Sequence, residues 1–340
     1  MSSTPAGPGR VIGMGASAGG VDALLKVLGD LPGDLPHAIC VVLHLPATGS
    51  SVLAQILDRN CAMTVRTAAD GALLVPGHVY VAPPDRHLLV GDGRIELTSG
   101  PKENGVRPAV DALLRTLAGS YGPQSVAVVL SGALGDGSIG AREVASAGGQ
   151  VIVQDPADAL VPSMPERAIA LVGDGAVILP ADRIGAALVA LRPARRQMRE
   201  DALMTDPDDR RQGDMSRPEG GASAFTCPEC GGPLWEHQVG DSSRFRCRIG
   251  HVYSEDAMIA EQGTGLETAL WTALEALDER AELLRRTAER RARSHPHVGR
   301  RLAAAAVDAQ ERAALIRRAL AGRGDGDDAF AVDVGAESAS

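Results

Sequence analysis

Between residues 11 and 191 short Val/Ile/Leu runs alternate with longer Ala/Leu segments whose apolar positions recur at helical spacing. That rhythm predicts a doubly wound α/β domain over residues 8–192, with a mainly parallel sheet. The clearest strands are expected at Ala38–Leu43, 126–130 and 150–153. Between 70 and 98, HVYVAP, HLLV and RIEL are separated by Pro-Pro-Asp and Gly-Asp-Gly, which predicts a hairpin insert attached to the main sheet. The stretch 193–222, rich in Arg, Asp, Gly and Pro without an apolar period, reads as a flexible linker. A Cys/His segment follows at 223–256. Thr264 and Glu267 fit a capping box, and Leu266, Leu270, Leu274, Leu277, Leu284 and Ala288 mark an amphipathic helix. After a break at 294–299, Leu302, Ala306, Ala309, Ala313, Ile316 and Leu320 mark a second, predicting a helical hairpin over 262–323. Residues 324–340 carry five acids and no base, and are expected to be a disordered acidic tail.

Composition narrows this picture. Hydrophobic residues make up 44% of the 340 but aromatics only 2%, so the core has to be Val, Leu, Ile and Ala, as suits a covered parallel sheet. The net charge of -9 argues against nucleic acid and against an anionic membrane as partners. The opening MSSTPAGPGR lacks the basic and apolar regions of a signal peptide, and no apolar run approaches a membrane span of roughly 20 residues. A cytoplasmic location is expected. Of five cysteines, Cys227, Cys230 and Cys247 cluster, which favours metal binding over disulfides; Cys40 and Cys61 read as small buried hydrophobes.

Candidate chemistry begins at Gly15-Ala16-Ser17-Ala18-Gly19, a G-x-S-x-G turn between an apolar strand and a helix. A nucleophilic serine needs such a turn, where small neighbours expose its oxygen and the following helix N-terminus can stabilise an oxyanion. The same glycines also fit a loosened dinucleotide fingerprint through Gly13, Gly15 and Ala18. That reading requires an acid at the end of the second strand, and HAICVVLHLP ends in His44 instead. His44 is the candidate base and should emerge on the sheet edge that carries Ser17. The strand-loop-helix segment SVAVVLSGALGDGSIGAREVASAGG places Asp136 on that edge too, as the carboxylate orienting the imidazole. A lone histidine or a GDG aspartate is commonly structural; three strand-to-helix junctions on one edge are far more specific. The order Ser, His, Asp disfavours the α/β-hydrolase fold.

IGMGASAGGVDAL, VVLHLP, PGHVYVAPPDRHL, RPAVDALLRTLA, VVLSGALGDGSIGA and GGQVIVQDPADALVPSMPERAI resemble the catalytic domain of the CheB-type protein-glutamate methylesterases of bacterial chemotaxis, over residues 11–191. The resemblance implies that Ser17 is the nucleophile, His44 the base and Asp136 its orienter. It further implies hydrolysis of glutamyl methyl esters on a chemoreceptor or similar signalling protein, release of methanol, deamidation of certain glutamines, and no cofactor for catalysis. Ala18 stands where the family often has Thr, and Ala133 where it has Met. No receiver domain is expected before Val11, so activation by phosphorylation within this chain is not expected either.

In FTCPECGGPLWEHQVGDSSRFRCRIGHVYS, Cys227 and Cys230 form C-x-x-C and Cys247 with His251 forms C-x-x-x-H. Three thiolates and an imidazole fit a structural tetrahedral zinc in a zinc-ribbon-like module. His237 is an alternative fourth ligand with less suitable spacing. The acidic balance favours protein docking over nucleic acid for this module, and docking or dimerisation through the helical hairpin stands beside a hairpin that merely completes a core. Against an active esterase stands a regulatory docking scaffold with weak or no esterase activity; the intact Ser17, His44 and Asp136 favour the enzyme.

Overall fold

The computed structural model describes residues 8–44, 52–192, 220–240 and 242–321. Residues 193–219 of the expected 193–222 linker, and the expected acidic tail over 324–340, lie outside these residues. The chain divides into two compact units, Met1–Ile259 and Ala260–Ser340.

The first unit holds a seven-stranded parallel sheet. In chain order its elements are β1 (Val11–Ala16), α1 (Gly20–Gly29), β2 (Ala38–Leu43), α2 (Leu53–Asp58), β3 (Thr64–Thr67) and β4 (His78–Val81). They continue through β5 (His87–Gly91), β6 (Arg94–Thr98), α3 (Val110–Tyr121), β7 (Ser125–Val129), α4 (Ser138–Ser146), β8 (Gln150–Gln154), α5 (Ser163–Val172), β9 (Ala176–Leu179) and α6 (Ala181–Val189). The sheet order is β3-β4-β2-β1-β7-β8-β9, so the chain winds outward in both directions from β1. Buried Val, Ile, Leu and Ala cover both faces, with α1, α2 and α6 in one layer and α3, α4 and α5 in the other. The near-absence of aromatics costs the core nothing, because β-branched side chains fill a pleated surface covered by helices. Gly15 has a packing reason: a Cβ there would lie 2.2 Å from Val110 Cγ1, so only glycine lets α3 approach β1 this closely.

The insert differs from its expectation. His78–Val81 is no hairpin arm but a strand of the main sheet, parallel to both β2 and β3. Only HLLV and RIEL pair with each other, as β5 and β6. Val79, Tyr80 and Val81 are all buried, which suits an interior strand, and the Pro-Pro-Asp turn ends it before the chain leaves the sheet.

β10 (Gly221–Thr226), β11 (Pro233–Val239), β12 (Ser242–Cys247) and β13 (Val252–Ser254) form a separate antiparallel sheet in the same unit. β10 starts inside the stretch expected to be linker. Its small core combines Leu234, Phe245, Tyr253, Ala257 and Met258 with the cysteines.

Two helices follow, α7 (Glu255–Arg291) and α8 (Pro296–Ala321). The capping box at Thr264 is not formed. α7 begins at Glu255, and the Thr264 hydroxyl donates to the Ala260 carbonyl in mid-helix. The actual cap is Ser254, whose Oγ accepts the Ala257 N–H at 3.3 Å, with Glu255 and Asp256 complementing the dipole in the first turn. In the second unit, Ala281, Ala288, Ala306, Ala309 and Ala313 are buried, Gly299 packs against Ala288 and Ala292, and Arg317 pairs with Asp278. No helix among the described residues is long and apolar enough to cross a membrane.

Candidate active site

Ser17 and His44 directly follow β1 and β2, whose register ends on the pair Ala16 and Leu43. The two residues therefore continue adjacent strands, which lie about 4.8 Å apart. The His44 N–H extends the ladder by donating to the Ala16 carbonyl at 3.2 Å. Ser17 is half-buried, and its own N–H is spent on the Ser131 carbonyl at 2.9 Å. The N–H groups of Ala18 and Gly19, ahead of α1, make no hydrogen bond among the described residues and are the available oxyanion donors. Ser131 Oγ holds the turn by donating to the Ala18 carbonyl at 2.8 Å, and Gln154 Oε1 accepts the Ser131 N–H. Gly132 is required beside Ser17, because a Cβ there would sit 2.8 Å from Ser17 Cβ.

Asp136 lies on the loop between β7 and α4 and is 3% exposed. Its Oδ2 accepts from His44 Nε2 at 2.7 Å and from the Val110 N–H at 2.7 Å. Its Oδ1 accepts from Asn104 Nδ2 at 2.9 Å and from the Asp111 N–H at 3.1 Å. All four lone-pair sites are thereby filled, two of them by the first N–H groups of α3. Burial opposes ionisation, but the hydrogen bond and charge of His44 and the two α3 amides outweigh it, holding the carboxyl below its ordinary range. His44 Nε2 is thus committed to Asp136.

Burial, and then the charge of Asp136, push the neighbouring Asp111 carboxyl well above its ordinary range. Its Oδ1 accepts the N–H groups of Gly137 and Gly140 at 3.0 and 2.7 Å, and so stitches the loop bearing Asp136 to α3.

Ser17 and His44 at their strand ends and Asp136 on its loop therefore share one sheet edge, on both sides of the point where the winding reverses. A family model described as CheB methylesterase matches residues 12–188. The chain belongs to this family. It is 42% identical over 186 residues to protein-glutamate methylesterase/protein-glutamine glutaminase 1 of Xanthomonas euvesicatoria pv. vesicatoria (strain 85-10), covering 54% of this chain and 51% of that protein. With protein-glutamate methylesterase/protein-glutamine glutaminase 4 of Myxococcus xanthus (strain DK1622) it shares 43% over 156 residues, covering 46% of this chain and 44% of the other. The chain thus spans about half the length of these curated relatives. The crystal structure of the Thermotoga maritima CheB methylesterase catalytic domain superposes with a TM-score of 0.50 at 37% identity, covering 53% of this chain and 97% of that one.

Within this CheB domain, sequence reasoning did not find Asn104 or Asp111. Asp111 was legible only as a first-turn acid of α3. Nothing local marks Asn104, whose partners are 7, 32 and 150 residues away. Ala18 and Ala133 are both exposed.

Beyond the CheB domain, Cys227, Cys230, Cys247 and His251 come together with all ligand atoms within 4.8 Å of one another. Cys227 Sγ and Cys247 Sγ stand 3.6 and 3.5 Å from His251 Nδ1, and Cys230 Sγ is 3.7 Å from Cys247 Sγ. The edges of a zinc tetrahedron with ordinary bond lengths are about 3.6 Å for S···N and about 3.8 Å for S···S. The donor set fits zinc on both chemistry and spacing. His237 is exposed on β11, paired across to Arg244, and is not in the cluster.

Proposed function

We propose that this chain is a serine esterase that removes methyl groups from glutamyl methyl esters on a chemoreceptor-like signalling protein. The observation that carries this is the fully coordinated Asp136 carboxylate holding His44 on the strand next to Ser17. In the mechanism, Ser17 Oγ attacks the ester carbonyl while His44 Nδ1 takes its proton, and Asp136 stabilises the resulting imidazolium through Nε2. The tetrahedral oxyanion points to the Ala18 and Gly19 amides. His44 returns its proton to the methoxy oxygen, methanol leaves, and an acyl-enzyme remains. Water, deprotonated by His44, then releases the glutamate and Ser17. With a glutamine in place of the ester the same steps expel ammonia, so deamidation needs no further group. Exposed Leu134 and Leu160, on the loops after β7 and β8, give the edge an apolar lip suited to a protein segment.

No metal enters these steps. Cys227, Cys230, Cys247 and His251 would hold a zinc in a structural role, since protein atoms would supply all four positions. The reading is tested by incubating the protein with methylated receptor and measuring released methanol, alongside Ser17→Ala. Release by the wild type and a loss of more than about a thousandfold in the folded variant are expected; unchanged release in Ser17→Ala sinks the assignment.

A further inference from the structure

The antiparallel sheet does not stand apart from the catalytic machinery. β13 starts one residue after the ligand His251, and its backbone lies along residues 102–104. The Asn104 N–H donates to the Val252 carbonyl at 2.7 Å, and the Val252 N–H donates to the Lys102 carbonyl at 3.3 Å. Asn104 Oδ1 accepts the Ser254 N–H at 2.8 Å. Its Nδ2 spends one hydrogen on Asp136 and the other on Asp111 Oδ2 at 3.0 Å. Every polar atom of this 8% exposed side chain is thus engaged, one end on β13 and the other on the carboxylate that holds the base.

Salt bridges frame the same seam. Glu103 receives Arg115 of α3 at 2.6 Å and faces Arg244 of β12 at 3.8 Å, Lys102 meets Glu229 at 3.2 Å, and Arg167 of α5 meets Asp256 at 2.7 Å. Asn104 itself has φ of 52°, a left-handed conformation that asparagine tolerates better than most residues. That backbone aims its amide N–H and its side-chain oxygen at the same strand.

We propose that Asn104 is a positioning residue through which the metal-binding sheet sets the orientation of Asp136, and hence the competence of His44. The kinetic part rests on the esterase reading above. When the Cys/His cluster is intact, β13 is fixed and the Asn104 amide is pinned, with Nδ2 directed at Asp136 Oδ1. When the cluster is opened, β13 loses its anchor, the Ser254 N–H leaves Asn104 Oδ1, and the amide is free to rotate away. Asp136 then keeps its helix amides and loses the donor that completes its coordination. The sheet is thereby an allosteric element acting on the base, at a distance from the scissile bond.

The test uses the full chain with and without a zinc chelator, as wild type, Asn104→Ala and Asn104→Asp. In the wild type, chelation should lower kcat for ester hydrolysis roughly tenfold to a hundredfold with KM changed less than about twofold, as when an outer-shell hydrogen bond is lost. Asn104→Ala should carry the same loss before chelation and little more after it, because both changes break one path. Asn104→Asp keeps the acceptor for Ser254 but sets a further carboxyl against Asp136 and Asp111, and should lose at least as much kcat as the alanine variant. Losses that multiply independently in Asn104→Ala overturn the proposal. So does a kcat in wild type that ignores chelation.

A second readout needs no turnover. The imidazole N–H proton that His44 shares with Asp136 at 2.7 Å should give a downfield proton resonance in the free protein. It should shift or vanish on chelation of the wild type, and be already displaced and insensitive to chelator in Asn104→Ala. If wild type releases no methanol, this resonance still decides the coupling, so the two failures are distinguishable. A resonance unmoved by chelation rejects it.

Discussion

The Asp136 cluster and the Cys/His cluster are both buried polar centres in the first unit, and they are assembled in opposite ways. Asp136 gathers His44, Asn104, Val110 and Asp111 from three separate stretches of chain. Their meeting depends on the whole parallel sheet being in register. The Cys/His cluster is made from two tight turns: the Gly231 N–H closes the first on the Cys227 carbonyl at 2.8 Å, and the Gly250 N–H closes the second on the Cys247 carbonyl at 3.0 Å. One centre is a product of the fold, and in the other a bound metal would help to create the fold. They should therefore fail differently.

The largest separation comes from Asp136→Asn. It keeps the shape of the loop but cannot serve as an anion, so turnover should fall by about ten-thousandfold. The Cys/His cluster should keep its metal, measured as one zinc per chain by native mass spectrometry. Loss of zinc in this variant would mean that the catalytic loop, not the two turns, holds the second centre together.

The converse experiment is metal removal with Cys227→Ser. Amide exchange should accelerate across β10 to β13 by at least about a hundredfold, while β1, β2 and β7 keep their protection. The parallel sheet has its own apolar core on both faces and does not need the small sheet. Equal loss of protection in both regions would show that they unfold as one.

This asymmetry explains what could be read without coordinates. Ser17 and His44 each follow an apolar strand directly, and Asp136 lies on the loop that leaves a third, so their common edge follows from pattern and winding. The two turns advertised themselves by spacing. Asn104 and Asp111 stayed hidden because hydrogen bonds between residues far apart leave no period. His78–Val81 was misread because a four-residue strand flanked by turn residues looks alike in a hairpin and in a parallel sheet. The start of α7 differs for a related reason: Ser254 caps the helix while its N–H belongs to the distant Asn104, whereas Thr264 and Glu267 fit a capping box by local spacing alone.

Between the two centres, Glu103 makes the seam sensitive to acid. Burial works against its charge, but Arg115 and Arg244 prevail and bring its pKa from an ordinary 4.5 to about 2. A depressed carboxyl contributes stability that is complete above its unfolded pKa and is lost as pH falls through the folded one. The window is therefore from about 4.5 down to about 2, and the contribution is about 3 kcal/mol at most. Melting temperatures taken across this window should fall more steeply for wild type than for Glu103→Gln, and comparison at each pH cancels the metal cluster's own acid sensitivity. Parallel curves would remove Glu103 from the seam.

The smallest effect discriminates between two places for the start of α7. Ser254→Ala removes the side-chain oxygen that accepts the Ala257 N–H while keeping the backbone N–H that Asn104 uses, so it should cost about 1 kcal/mol in stability. Thr264→Ala removes only a mid-helix hydroxyl bonded back to Ala260, and alanine is the better helix former; its effect should be neutral or stabilising by a few tenths of a kcal/mol. Denaturant melts of the two variants against wild type decide it. The reverse order, with Thr264→Ala the costlier, would return the helix start to the capping box and detach β13 from α7. The cap and the Asn104 contact share one residue, so the start of α7 is also where the small sheet is held against the residues that coordinate Asp136.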